Sequence, residues 1–234
     1  APGEPVSFDD AMSGDYRQFA VGDHWSRPWG TTWFRFTVDV PAALAGPQLE
    51  AVIDLGFHPD SAGFQSEGLV WIDGQPVQGI HPRRTGLPLP NVAAGPFTFF
   101  VEAASNPAFP GFRPSSLGSL ATAGNKPLYR LRHASIGNRD DAVFHLLLDV
   151  DVLLGLARSL PADDARRVRV LRQLEAAFNA LDLDHVGATA AGARRLLQPA
   201  LGLEARGGAH RVMAVGHAHI DSAWLWPIRE TQRK

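Results

Sequence analysis

The feature that most constrains this chain is a change in hydrophobic periodicity near residue 138. Before it, apolar residues alternate with polar ones in short segments that are interrupted by glycine and proline. After it, apolar residues recur every three or four positions, which is the spacing of an amphipathic helix. A single sheet or a single helical bundle cannot satisfy both patterns. The sequence therefore predicts a mainly β region followed by an α-helical one.

The β region contains several predicted strands with turn signals between them. One pair forms a hairpin around Asp73-Gly74, because this dipeptide readily adopts the positive φ angles of a tight turn. No helical repeat separates the strands, and short antiparallel strands joined by turns favour a β-sandwich. The predicted strands are residues 32–40, 49–55, 69–72, 76–80, 97–102 and 128–136.

Three helices are predicted in the second region. Asp140 or Asp141 caps the first helix, which ends near Leu160, where a proline follows. Asp163 and Asp164 lie in the first turn of the second helix, where negative charge interacts favourably with the helix dipole. The third helix is predicted over residues 188–197, ending before Pro199. The predicted apolar face of the second helix is Val168, Leu171, Leu174, Phe178 and Leu181.

Composition excludes several classes of function. The 234 residues suffice for one or two domains. A formal net charge of −2 leaves no basic excess to neutralise phosphates, so we expect no nucleic-acid partner. The absence of cysteine excludes a disulfide scaffold, a thiolate metal site and a cysteine nucleophile. No signal peptide and no apolar run of roughly 20 residues is visible, so we expect a cytoplasmic protein without a membrane partner.

The last segment has a third pattern, which resembles the start of an α/β domain. Residues 211–215 form a short apolar run of strand type, and Gly216 follows it. A strand, a loop and the first turns of a helix open such a domain. We therefore expect the chain to be the beginning of a longer protein.

Two histidines and an aspartate follow this run at alternate positions. His217, His219 and Asp221 share one face of an extended backbone, so their side chains converge. Imidazole and carboxylate donors suit a divalent ion such as Zn²⁺ or Co²⁺. Alternatively, one histidine caps a strand end and another packs in a core. The spacing also fits a metal-dependent amidohydrolase, in which a His-x-His ends the first strand of a barrel.

Two tryptophans continue the motif. Trp224 lies three residues after Asp221 and offers a flat apolar surface on which a pyranose ring can stack its C–H face. The alternative is that Trp224 anchors the following helix in a core, and we expect Trp226 to do so. A stacking surface beside a metal site favours a sugar substrate.

Residues 216–234, GHAHIDSAWLWPIRETQRK, closely resemble the zinc-site motif that opens the catalytic domain of glycoside hydrolase family 38, the class II α-mannosidases. The upstream part resembles the cytosolic and vacuolar branch of that family, so the resemblance covers nearly the whole chain. The segments similar to that branch's N-terminal β-sandwich are residues 29–41, 67–80, 83–89 and 99–110, and the segment similar to its helical linker is residues 140–207.

The resemblance implies a domain organisation. Residues 1–138 would form an accessory β-sandwich of jelly-roll or galactose-binding-like type, and residues 139–207 a helical linker. Residues 208–234 would be the truncated start of the α/β catalytic barrel. The fold class is therefore mainly β plus α.

The resemblance also assigns a role to each residue of the motif. His219 and Asp221 correspond to ligands of one Zn²⁺ or Co²⁺ in each active site. His217 is not a direct ligand in the family pattern and would support the site by hydrogen bonding. Trp224 corresponds to the tryptophan that stacks under the bound mannose.

The activity implied is retaining hydrolysis of terminal α-mannosides of oligosaccharides by two carboxylates. In the family, the nucleophile and the acid/base are aspartates far downstream of the motif. No aspartate or histidine follows Asp221 in this sequence, so we expect both groups beyond Lys234 and expect the chain itself to be inactive. The oligosaccharide is the expected partner, and a homo-oligomer is compatible with the sequence.

Two other functions stay open, namely a metal-dependent amidohydrolase and a non-catalytic carbohydrate-binding or structural module. The sequence feature that favours a carbohydrate-binding module is the recurrence of tryptophan every four residues, at Trp25, Trp29 and Trp33. These side chains could form an exposed surface that binds sugar, but we favour positions in the sandwich core or in a domain interface.

Two further groups of polar residues have competing interpretations. The loop at residues 81–84 either reaches over the catalytic cleft or is a solvated turn. Asp149 and Asp151 are poor catalytic candidates, since positions two apart on a helix point away from each other.

Overall fold

The computed structural model of the chain describes residues 6–58, 65–107, 124–205, 212–216 and 228. These residues fall into two compact units, and the chain passes from the first to the second between Asn138 and Arg139. The described strands lie in the first unit, and the three long helices lie in the second. The prediction of a mainly β region followed by an α-helical one is confirmed.

The first unit begins with a short helix and continues through antiparallel strands. The helix is α1 (Phe8–Met12). The described strands are β1 (His24–Trp25), β2 (Thr31–Val40), β3 (Leu49–Asp54), β4 (Glu67–Ile72), β5 (Gln75–Ile80), β6 (Gly86–Pro88), β7 (Gly95–Ala104), β8 (Tyr129–Arg130) and β9 (His133–Asn138).

Two antiparallel sheets enclose the core of this unit. One has the strand order β2-β7-β4-β5, and the other has the order β6-β3-β9. Phe34 and Val101 of the first sheet share one buried apolar cluster with Leu49 and Ile53 of the second. Side chains alternate along each strand, so every strand also presents a second face away from this core. The first unit is the β-sandwich that the sequence predicts.

The predicted hairpin is confirmed. β4 and β5 pair in antiparallel register, and the turn between them places Asp73 at φ 50° and Gly74 at φ 75°. Glycine adopts such angles without strain, and aspartate tolerates them better than most residues. The local turn chemistry is therefore sufficient to fix this connection.

The single strand predicted over residues 128–136 is wrong, because the segment divides between two sheets. β8 pairs with β1 in a two-stranded sheet, whereas β9 pairs with β3. At the junction, the N–H of Leu131 donates to the Asp23 carbonyl and that of Arg132 to the Asp54 carbonyl. Each half thus has a different hydrogen-bonding neighbour, which periodicity does not reveal.

The second unit is built from three helices, α2 (Asp141–Ser159), α3 (Ala165–Asn179) and α4 (Val186–Leu201). The Asp140 carboxylate caps α2 by accepting a hydrogen bond from the Val143 N–H at 3.0 Å. Asp164 caps α3 in the same way, through the Arg166 N–H at 2.7 Å. The cap of α2 is one of the two aspartates that the sequence offered. The placement of Asp163 and Asp164 in the first turn of the second helix is wrong, because α3 begins at Ala165 and Asp164 is its cap.

The predicted end of α4 is wrong, since the helix continues through Pro199 to Leu201. Proline in a helix forfeits one hydrogen bond and crowds the preceding turn. Here it lies in the last turn, between Leu197 and Ala200, which are both buried in the helical core. Packing of these neighbours keeps the segment helical.

The predicted apolar face of α3 is only partly correct. Leu174 is buried, and its buried companions at helical spacing are Val170 and Ala177. The predicted residues that remain exposed are Val168 (41%), Leu171 (43%) and Phe178 (52%). The helix is apolar on more than one side, so the positions of α2 and α4 decide which side is buried.

Within the described part of the chain, none of the helices is both long enough and apolar enough to span a bilayer.

Candidate functional site

The predicted metal motif lies outside the described residues. His217, His219, Asp221 and Trp224 all belong to the part of the sequence on which the structure gives no description, and so does Trp226. Their roles as ligands, supporting residue, stacking surface and core anchor stay predictions.

The segment that leads into the motif is described, and it is not a strand. Residues 212–216 form neither helix nor strand. Val212, Met213 and Val215 are each about four-fifths exposed. A strand requires a hydrogen-bonded neighbour, and no described strand pairs with this segment. The strand predicted over residues 211–215 is therefore absent from its described part.

In the described ranges, no group of three or more histidine, aspartate or glutamate side chains is arranged to hold a metal ion. The one acidic pair considered from the sequence has a structural role instead. Asp149 accepts a hydrogen bond from the Arg194 guanidinium at 2.6 Å, joining α2 to α4, while Asp151 is exposed. The two aspartates therefore have different surroundings, as expected for positions two apart on a helix.

Trp25 and Trp29 belong to the interior of the sandwich rather than to an exposed platform. Trp25 is 1% exposed, and its indole N–H donates to the Leu55 carbonyl at 2.9 Å. Trp29 is 4% exposed, and its backbone N–H donates to the Ser105 carbonyl at 2.8 Å. The favoured interpretation as core residues is confirmed for both.

Trp33 differs from the other two because it is half-buried and lies on the outer face of its sheet. It is adjacent to Phe34 in β2, and Phe34 points into the core, so Trp33 points the other way. On that face its ring lies 5.8 Å from Trp71 and 5.9 Å from Phe8 of α1. The helix α1 and the residues after it cover this part of the sheet.

A cavity of about 690 Å³ lies along β2, which we call the edge cavity. β2 is an edge strand, since it pairs only with β7 among the described strands. Residues 14–19 line the other side of the cavity. Its lining residues include Asp15, Tyr16, Arg17, Gln18, Trp33 and Arg35.

Tyr16 and Arg35 are in direct contact at this cavity. The Arg35 guanidinium carbon lies 4.4 Å from the centroid of the Tyr16 ring, which is cation–π geometry. Burial raises the pKa of Tyr16, and the positive charge of Arg35 opposes that rise. The phenol therefore stays protonated at neutral pH and can donate a hydrogen bond.

Two polar atoms of the cavity-lining residues have no hydrogen-bond partner. The Tyr16 hydroxyl and the Trp33 Nε1–H are both buried and unpaired. A buried donor without an acceptor costs about 1–3 kcal/mol. The sequence pointed to Trp33 only as part of a possible exposed platform with Trp25 and Trp29, and it did not point to Tyr16. Arg35 could have been found as the outward position of an alternating strand, but no sequence pattern marks Tyr16.

A second group of buried polar residues stabilises one end of the sandwich. The Tyr129 hydroxyl donates to the Asn106 carbonyl, and the Asn106 amide donates to Glu67 at 3.2 Å. Burial raises the pKa of Tyr129 to about 12. Tyr129 also stacks on Trp25, with ring centroids 5.7 Å apart. This group links β8 to the segment that follows β7 and to the first residue of β4.

The loop at residues 81–84 is a tight turn. His81 and Arg84 exchange two backbone hydrogen bonds, and Arg83 and Arg84 are exposed. The Arg84 guanidinium donates to the Gln78 side-chain oxygen at 2.9 Å. The loop is therefore a turn with exposed arginines, as one of the two interpretations expected. The other interpretation, that the loop extends over a catalytic cleft, stays a prediction.

Two family models match this chain, one in each of its terminal parts. The model of the α-mannosidase jelly roll domain matches residues 1–137. The model of the N-terminal domain of glycosyl hydrolases family 38 matches residues 209–234.

Curated proteins that resemble the chain carry related names. Alpha-mannosidase 2C1 of Homo sapiens is 32% identical over 243 residues, which cover 99% of this chain and 22% of that protein. The Mus musculus protein of the same name is 31% identical, with 99% and 22% covered. Alpha-mannosidase of Saccharomyces cerevisiae is 28% identical, with 94% and 21% covered. The chain thus spans about a fifth of the length of these relatives.

Proposed function

Because this chain belongs to the α-mannosidases of glycoside hydrolase family 38, we propose that it serves in a metal-dependent retaining hydrolysis of terminal α-mannosides of oligosaccharides. The observation that supports this most is the order of the two family matches. A jelly-roll match is followed by a glycoside hydrolase match, and the residues of the proposed motif are numbered within the second matched segment, which supports the proposal. A carbohydrate-binding module alone would not explain the second match.

The proposed metal ligands are His219 and Asp221, with His217 supporting them by hydrogen bonding. Imidazole nitrogen and carboxylate oxygen are donors that suit Zn²⁺ or Co²⁺, so the residues present fit the ion. When bound, such an ion supplies Lewis-acid chemistry toward sugar hydroxyls. Trp224 would orient the mannose ring by stacking against its C–H face.

We assign no catalytic residue within these 234 residues. The nucleophile and the acid/base carboxylate are proposed to lie in the part of the relatives' length that this chain does not span. The same proposal makes residues 1–138 an accessory domain, residues 139–207 a linker and residues 208–234 the start of the catalytic domain. Resemblance to the cytosolic and vacuolar branch supports a cytoplasmic location.

The decisive test uses the longest form of the protein, assayed on an aryl α-mannoside before and after chelation. We expect activity to disappear with the chelator and to return with Zn²⁺ or Co²⁺. His219→Ala and Asp221→Asn should each lower bound metal and activity by at least tenfold, because each removes a direct ligand.

Asp149→Asn is the matched control, since Asp149 is bonded to Arg194. It should leave both metal content and activity unchanged. A full-length protein that binds metal but hydrolyses no mannoside would contradict the proposal and favour an amidohydrolase. Metal binding that survives both ligand substitutions would contradict the assignment of His219 and Asp221.

A further inference from the structure

We propose that one side of α2 is a docking surface for the hydrolase domain of the same polypeptide, in the part of that domain that follows residue 234. The identity of the docked domain rests on the proposed function, whereas the surface rests on the described residues. The surface, which we call the α2 stripe, consists of Phe144, Leu147, Leu148 and Val152.

The α2 stripe is apolar and open to solvent. The exposed fractions of its four side chains are, in chain order, 37%, 63%, 49% and 62%. Their positions are three or four residues apart, so they share one side of the helix. A helix that is apolar on its solvent side as well as on its core side is normally enclosed by a larger structure. The residues that α2 buries in the helical core are Leu146, Leu153 and Ala157.

The exposed side of α3 is different, because charged residues are interspersed there. Leu171 and Phe178 are exposed on α3, and the charged residues exposed between Val168 and Phe178 are Arg169, Arg172 and Glu175. From Phe144 to Gly155 on α2, all of which the structure describes, Asp151 is the single exposed charged residue. Contact with water thus accounts for the composition of α3 and does not account for the α2 stripe.

One end of the α2 stripe is already covered by the chain itself. The Arg139 guanidinium carbon lies 4.4 Å from the centroid of the Phe144 ring, and its Nε lies 2.9 Å from the Asp141 carboxylate. The open part is therefore at Leu147, Leu148 and Val152. A docked surface would contact this part.

The hydrolase domain is the occupant that the order of the chain favours. Its family-model match begins at residue 209, eight positions after Leu201, where α4 ends. Eight residues span at most about 29 Å when fully extended, so the domain is held near the helices at a high effective concentration. The chain covers 22% of the length of its human relative, so most of the length of such a protein remains available to cover the stripe.

Asp151 defines the chemistry of the docked surface. It is exposed, and it lies at helical spacing from Leu147 and Leu148. Burying a carboxylate without a partner is costly, so the docked surface should combine an apolar patch with a basic side chain or backbone N–H groups that face Asp151. A second copy of α2 would instead bring another Asp151 to the same interface, and like charges there oppose association.

The test is hydroxyl-radical labelling, read by mass spectrometry, of the 234-residue chain and of the longest form of the protein. We expect Leu147 and Leu148 to be labelled about tenfold less in the long form, because a side chain that is covered nine-tenths of the time reacts only in its uncovered fraction. Leu171 of α3 is the internal control and should be labelled equally in both proteins.

A pair of double variants tests whether the apolar contact is the cause. Leu147→Gln combined with Leu148→Gln should raise labelling of Val152 in the long form about threefold or more, because the docked surface loses its central apolar contacts. Val168→Gln combined with Leu171→Gln is the matched control and should leave it unchanged. In the 234-residue chain neither pair should change the thermal unfolding temperature, since glutamine is a good helix former and these side chains are exposed there.

Three results would overturn the proposal. They are equal labelling of Leu147 and Leu148 in the chain and the long form, protection that disappears on dilution, which would indicate a second copy, and protection of Leu171 as strong as that of Leu147. Mannosidase activity of the long form reports on the proposed function alone. An active long form with an unprotected stripe would refute the docking and leave the function standing, and an inactive long form with a protected stripe would do the reverse.

Discussion

At the scale of the residue, Gly68 in β4 occupies a point where the sandwich core leaves no space for a side chain. A Cβ atom there would lie 2.9 Å from Cγ1 of Ile80, 2.9 Å from Cγ1 of Val101 and 3.0 Å from Cδ1 of Leu55. All three neighbours are buried to 1% exposure or less. The close packing of protein interiors means that even one methyl group must displace such neighbours.

We therefore predict that Gly68→Ala lowers the free energy of unfolding by about 1–3 kcal/mol through overpacking. Gly137→Ala is the control, because Gly137 lies in a strand of the other sheet and a Cβ there meets no atom within 4 Å. Urea unfolding followed by tryptophan fluorescence measures both variants. Equal stability of the two variants would contradict the packing argument.

Trp25 and Tyr129 show how polar aromatic residues are accommodated in the same core. The Trp25 indole N–H and the Tyr129 hydroxyl each donate to a backbone carbonyl, at Leu55 and Asn106 respectively. Tyr16 and Trp33 lack such acceptors. Trp71, which does not line the edge cavity, lacks one as well, so buried aromatic donors of this unit differ in whether they are paired.

At the scale of the element, the first turn of α2 depends on Asp140. Its carboxylate is the cap that satisfies the Val143 N–H. We predict that Asp140→Ala lowers the free energy of unfolding by about 1 kcal/mol, whereas Asp140→Asn, which preserves the capping oxygen, costs little. Thermal unfolding followed by circular dichroism at the helical band is the measurement. A loss in the asparagine variant as large as in the alanine variant would show that capping is not the cause.

The pairing of α2 with α4 depends in part on one ion pair. Arg194 and Asp149 are half-buried and 2.6 Å apart. We predict that Arg194→Ala lowers the free energy of unfolding by about 1 kcal/mol, since partial exposure screens the pair. Arg195→Ala changes an exposed neighbour on α4 and should have no effect. The free energies of unfolding of Arg194→Ala and Arg195→Ala are measured by denaturant unfolding. Adding Asp149→Ala and the double variant Asp149→Ala with Arg194→Ala completes a double-mutant cycle, which shows whether the two side chains are coupled.

At the scale of the whole molecule, the pH dependence of stability is expected to reflect Tyr129. Its pKa is about 12 in the folded chain, against an ordinary value of 10.0, because burial disfavours the charged phenolate. The folded state thus holds this proton more tightly than the unfolded state does. The resulting stability is fully present below pH 10 and is lost as the pH rises from about 10 to about 12.

We predict an alkaline loss of roughly 2–3 kcal/mol from this group over that interval. The free energy of unfolding of Tyr129→Phe should decline less steeply over this interval, because phenylalanine cannot ionise. Unfolding curves at several pH values, with tyrosinate absorbance followed in parallel, measure the effect. If stability fell equally steeply with pH in both proteins, the alkaline loss would have to come from groups other than Tyr129. Tyr16 is retained in the variant, so its own contribution is held constant.

The sequence by itself determined the features that depend on neighbouring residues along the chain. The hairpin at Asp73-Gly74, the aspartate cap of α2, and the alternation along β2 and β3 were all predictable. Turn geometry, capping and side-chain periodicity arise within a few residues, so they are visible in the sequence. The motif at residues 217–221 is local in the same sense, and its role in metal binding stays a prediction.

Only the tertiary structure decided which elements become neighbours. The division of residues 128–136 between β8 and β9, the buried side of α3 and the continuation of α4 through Pro199 all depend on packing partners that are distant in sequence. The edge cavity arises in the same way, since it brings Tyr16 to Arg35 across the free edge of β2. Packing and hydrogen bonding between distant segments override local preference, and periodicity cannot report them.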